Sequence, residues 1–168
     1  MKKHKPKIAD KKLRGEWAEM CFMVRAAEYG LQVNKPWGEM SRYDFVVGHK
    51  LHFVCVQVKS TTEKLGEGYG CTVRGGHRPY VGKVFNFLAA YVVLEDVWYI
   101  IPAEEIRGRG YIPLYPTTRR GEFEKYREAW HLLQAPESTE GTVDCIQACV
   151  EEFVPTWLRP CATAECLP

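Results

Sequence analysis

The feature that most constrains the fold of this chain is a pair of apolar runs, Tyr43-Asp44-Phe45-Val46-Val47 and Val56-Gln57-Val58-Lys59-Ser60. They lie on either side of Gly48-His49-Lys50, are rich in Val and Phe, and read as two strands joined by a turn. Residues two apart in a strand share a face. Gln57 and Lys59 therefore emerge side by side, with Val56 and Val58 turned the opposite way. Facing residues of an antiparallel hairpin have a constant index sum. Asp44 lies opposite Gln57 only if the turn is centred between Lys50 and Leu51, as a two-residue turn or as the loop 49–52. Gly48 suggests a tighter turn centred earlier. That register would part Asp44 and Gln57 by several residues at ~3.3 Å each, too far to meet one ion. In the first register a carboxylate, an amide oxygen and an ammonium converge. Such a set can hold a divalent cation and activate a water, the minimum for metal-assisted phosphodiester hydrolysis.

Around this pair the pattern is mixed. Leu13, Trp17, Met20, Cys21, Val24 and Ala27 recur at three- and four-residue steps, which predicts a helix over 11–29. Asp10 is placed to cap it and Gly30 to stop it. Glu16 and Glu19, three apart, share one side of that helix, off the centre of the Trp17 stripe. Strands are expected at 31–34, 53–60 and 69–73, and a hairpin over 87–94 and 97–101 across Glu95-Asp96. Residues 75–79 read as a loop. Phe123, Tyr126, Trp130 and Leu133 are spaced for a helix over 123–134, and 142–153 reads as another. Helix, several strands, then helix implies an α/β fold, a mixed central sheet flanked by helices.

The 168 residues suit one compact domain with a real core. No apolar run approaches membrane-spanning length, and no apolar stretch follows the Lys-rich start, so a secretory signal is not expected. Seven cysteines, an odd number, read as reduced thiols of a cytoplasmic protein. Cys145, Cys149, Cys161 and Cys166 are spaced C-x3-C and C-x4-C, too loosely for a zinc knuckle. The net charge of +2 hides an asymmetry that matters more than its size. A basic arm at 1–10, read as disordered, opens the chain, and an acidic helical or irregular extension at 136–168 closes it. Such an arm favours a polyanion near that end.

Several segments together resemble a known family. Gly15-Glu16-Trp17-Ala18-Glu19, Pro36-Trp37-Gly38, Tyr43-Asp44-Phe45, Val56-Gln57-Val58-Lys59-Ser60-Thr61 and Asp96-Val97-Trp98-Tyr99-Ile100-Ile101-Pro102 look like the PD-(D/E)XK nuclease superfamily. Within it they resemble a small bacterial branch, similar also to the branch of an intron-encoded homing endonuclease and to archaeal Holliday-junction resolvases. The resemblance covers about residues 11–102. It implies a restriction-endonuclease-like core, placed at 11–135 with the C-terminal helical extension after it, and a Mg²⁺-dependent DNA endonuclease in which Mn²⁺ substitutes. By the same resemblance Asp44 is the main metal ligand, joined by Gln57, the Val58 carbonyl and Glu19, and Lys59 is the catalytic lysine. Glu16 is the competing helix acid. Tyr43 stands where a proline is usual, and Gln57 where most members carry Glu or Asp. The amide oxygen can ligate but brings no charge. A homodimer or higher oligomer is implied, because cutting a duplex needs two sites.

Ser60, at a strand end, and the basic loop residues Arg74, Arg78 and Lys83 are candidate nucleic-acid contacts, binding phosphates without reading sequence. His49, His52 and His77 fall in or near loops and are assigned no metal. Two other readings stay open: a catalytically weak or inactive DNA-binding module, which Gln57 favours, and an interaction protein that uses its acidic C-terminus. A nuclease of branched DNA or RNA is a third.

Overall fold

Asp10 accepts a hydrogen bond from the Leu13 N–H at 2.7 Å, and helix α1 (Lys11–Glu28) follows. Gly30, at φ 72, stops it. This computed structural model describes residues 8–38, 41–75, 78–80, 84–118 and 120–136, Arg78 by its backbone alone. The helix expected over 142–153 and the cysteines at 145, 149, 161 and 166 lie outside the described residues.

The helix is where it was expected, but the face it buries is different. Ala18, Phe22 and Ala26 are fully buried, whereas Leu13, Met20 and Val24 are exposed at 52%, 52% and 63%. Trp17 and Cys21 only flank the core. Apolar residues lie on two sides of α1. The side with two alanines wins because small residues let the helix axis come close to the sheet.

Ten strands follow among the described residues: β1 (Gln32–Asn34), β2 (Phe45–His49), β3 (His52–Thr61), β4 (Lys64–Leu65), β5 (Gly68–Thr72), β6 (Arg74–Gly75), β7 (Arg78–Pro79), β8 (Phe87–Val92), β9 (Val97–Pro102) and β10 (Tyr111–Leu114). The main sheet has the order β1-β2-β3-β8-β9. Its pairs are antiparallel except β3 with β8, so the sheet is mixed. The long connection from β3 to β8 carries β4 to β7. It supplies most of a smaller sheet, β10-β5-β4, and a short β6-β7 ribbon where a plain loop was expected.

A core forms on each face of the main sheet. On one, Phe22 of α1 packs on Phe45, Trp98 and Trp130 at centroid distances of 5.3, 5.8 and 5.6 Å. On the other, Leu88, Ala90, Tyr99 and Ile101 meet Tyr69, Cys71, Ile112 and Leu114 of the smaller sheet.

The helix expected over 123–134 is absent. Two 3-10 turns, Glu124–Tyr126 and Trp130–Leu133, stand in its place, broken at Glu128 with φ 48. The cause is tertiary. Glu128 N–H donates to Trp98 O at 2.8 Å, and its carboxylate accepts from Trp98 N–H and Trp130 Nε1, each at 2.8 Å. The segment thus docks on β9 through Glu128, and several of its other backbone N–H groups bond within short turns instead of a continuous helix. The spacing did report burial: Phe123, Trp130 and Leu133 are all core.

Candidate active site

β2 and β3 pair as Phe45↔Val56, Val46↔Cys55, Val47↔Val54, Gly48↔Phe53 and His49↔His52. The turn is therefore Lys50-Leu51, and the next pair outward is Asp44 with Gln57. Asp44 N–H donates to Val56 O at 3.0 Å, extending the ladder. Lys50 takes φ 55, the positive value that fits a two-residue turn to the twist of its strands. Gly48 has another purpose than turning the chain. A Cβ there would come within 2.9 Å of the Phe53 ring.

This register brings Asp44 and Gln57 into contact. Asp44 Oδ2 accepts from Gln57 Nε2 at 2.5 Å and from Val58 N–H at 2.7 Å. With its amide donor committed to Asp44, Gln57 retains Oε1 as an acceptor. Burial is the main reason the Asp44 carboxyl is pushed up to about 6. The Val58 N–H opposes this, the negative Glu19 adds to it, and Lys59 and Lys35 pull it down. The charged form of Asp44 is thus disfavoured chiefly by lost hydration, which the two lysines only partly offset.

Asp44, Gln57, Val58, Lys59 and Glu19 line one cleft of ≈ 500 Å³. It opens where the second half of β3 runs between the first turns of α1 and the smaller sheet. Of the two helix acids, Glu19 lines the cleft and Glu16 is exposed. Lys35 Nζ donates to Glu19 Oε2 at 2.8 Å. Lys59 leaves β3 on the same face as Gln57, its Nζ lying 5.9 Å from the Tyr80 ring centroid. Ser60 and Arg74 also line the cleft, while the Arg78 side chain and Lys83 lie outside the described residues. Lys35, Arg14 and the Tyr80–Lys59 contact were not foreseen. Lys35 reads in sequence as a solvated loop lysine, and only the fold shows which acid it meets.

Among the described residues no three His, Cys, Asp or Glu side chains cluster as a metal site. The position where a third acid would stand is Gln57. The donors at hand are Asp44, the Gln57 amide oxygen, the Val58 carbonyl and Glu19. All are oxygens, as a hard cation such as Mg²⁺ or Ca²⁺ requires, and the desolvated Asp44 gains from a positive neighbour.

A model of the PD-(D/E)XK endonuclease family matches residues 9–133, and the chain belongs to that family. The structure of a bacterial homing endonuclease, I-Ssp6803I, is similar with a TM-score of 0.64 and 31% identity, over 74% of this chain and 93% of that one. No curated protein sequence matches. The fold implied by the sequence resemblance, an α/β restriction-endonuclease-like core, is the fold found. The family makes this a nuclease-class protein. No helix among the described residues is long and apolar enough to cross a membrane.

Proposed function

We propose that the protein is a divalent-metal-dependent DNA endonuclease whose site is built from Glu19, Asp44, Gln57 and Lys59. The observation that carries this reading is the hairpin register that sets Asp44 against Gln57, with Lys59 two residues on along the same face. Family membership and a homing endonuclease as structural neighbour support the nuclease class and DNA as its substrate.

Asp44, Gln57 Oε1 and the Val58 carbonyl would hold the ion, with Glu19 reaching it directly or through water. Bound there, Mg²⁺ or Mn²⁺ supplies Lewis acidity and a water of lowered pKa. The chain's own residues do the rest. Gln57 Nε2 and the Val58 N–H fix the Asp44 carboxylate in one orientation. Lys59 donates to the attacking water and offsets charge that develops on the phosphorus oxygens. Lys35 holds Glu19 toward the cleft. Cutting both strands of a duplex calls for a homodimer or higher assembly.

Plasmid nicking with Mg²⁺ or Mn²⁺ tests this, comparing wild type with Asp44→Ala and Lys59→Ala. Nicking by wild type alone is expected. The uncharged Gln57 favours one rival, a DNA-binding module on the same fold. It requires that all three proteins bind DNA equally and none cuts it.

A further inference from the structure

The first two turns of α1 form one wall of the cleft through Lys11, Arg14, Gly15, Ala18 and Glu19. Three independent features of this wall lack an explanation inside the protein. Arg14 Nε is buried without a hydrogen-bond partner, the one such side-chain atom among the described residues. A charged donor withdrawn from water and left unpaired is unfavourable. The cleft's helix acid, Glu19, takes its hydrogen bond from Lys35 instead. The second feature is Gly15, a glycine inside a helix. A Cβ there would meet nothing within 4 Å, so an alanine would fit and would favour the helix. The third is charge: Lys11 and Arg14 both line the cleft with no acid in the first turn of α1 to offset them, and the carboxylate of the N-cap Asp10 is already engaged by the Leu13 N–H.

An anion resolves all three. We propose that Arg14, with Lys11, binds a backbone phosphate of the nucleic acid flanking the phosphate at Asp44, and that Gly15 leaves the helix surface bare so the sugar–phosphate chain can lie against it. This deepens the nuclease reading and rests on it. Arg14 and Glu19 are five residues apart, ~7.5 Å along the helix axis. At about 3.4 Å of rise per nucleotide, that is roughly two steps of one strand. Arg14 therefore holds the strand near the cutting point without touching the reacting phosphate.

The test titrates a fluorescein-labelled duplex of arbitrary sequence in EDTA, over a range of KCl, against full-length wild type, Arg14→Gln, Arg14→Lys and Gly15→Ala. Each protein's thermal midpoint is measured alongside. Arg14→Gln is expected to bind about tenfold more weakly at low salt and to lower the slope of log K against log salt by about 1. Arg14→Lys should keep the slope and recover part of the affinity. Gly15→Ala should raise the midpoint while weakening binding, a combination that a structural role would not produce. Wild-type affinity and slope in Arg14→Gln overturn the proposal. If that variant fails to fold, wild-type affinity in Gly15→Ala overturns it instead. A wild type that binds and cuts DNA while Arg14→Gln keeps its slope defeats this inference alone. A wild type that neither binds nor cuts any nucleic acid defeats the nuclease reading as well.

Discussion

At the scale of single residues, Asp44 is where stability and function pull apart. Its carboxyl, raised from 3.8 to about 6 mainly by burial, is held more easily as the neutral acid in the fold than in the unfolded chain. The stabilisation this gives is complete below pH 4 and is lost as pH rises through about 6, a span worth about 3 kcal/mol. Burial sets most of its size; of the charged groups, Glu19 adds to it and Lys59 and Lys35 reduce it. Asp44→Asn is therefore expected to stabilise the metal-free protein at neutral pH by about 2–3 kcal/mol, read by urea unfolding, and to abolish any midpoint rise on adding Mg²⁺. In wild type that Mg²⁺-dependent rise should fade as pH drops through about 6, because ligation needs the ionised form. Gln57→Glu probes the same balance from the other side. It puts two carboxylates in hydrogen-bond contact and removes the Nε2 donor to Asp44. The metal-free midpoint should fall and the Mg²⁺-induced shift should grow, both measurable in one thermal-shift series.

Among the elements, the β2–β3 hairpin determines whether the proposed site exists at all. The sequence narrowed its register to two, because an index sum leaves few choices, and only one of them brings Asp44 to Gln57. Gly48 suggested the other, but it makes room for the Phe53 ring rather than turning the chain. Inserting one residue between Lys50 and Leu51 would reverse the facing of one strand against the other. Nicking should vanish in that variant even where the protein still folds. Lys50→Gly relieves a left-handed lysine at φ 55 and should stabilise by about 1 kcal/mol, with nicking retained. Other elements were less legible, each for a physical reason. The period of α1 showed that a face is buried but not which one, since Leu13, Met20 and Val24 are as periodic as Ala18, Phe22 and Ala26. The 123–134 segment carried a helical spacing of aromatics that packing used without a helix. β10, four residues with Pro113 among them, had no pattern apart from its partner β5.

For the molecule as a whole, two cores share one sheet, and the cleft opens where α1 and the smaller sheet flank β3. Trp130 is fully buried against Phe22, Trp98 and Tyr29 and lines no part of the cleft. Trp130→Ala should lower stability by about 3–5 kcal/mol in denaturant unfolding. At a temperature where it remains folded it should still nick DNA, which separates the scaffold from the site. β3 is fixed by β2 on one side and β8 on the other, whereas the β6-β7 ribbon pairs with neither larger sheet. Its first strand begins at Arg74, on the rim of the cleft. A ribbon hung there can be rewritten in length and charge while every pairing that aligns the acids and the lysine is left alone. If the ribbon touches the nucleic acid, a change in it would alter contact with substrate without disturbing the scaffold on which the proposed cutting residues stand.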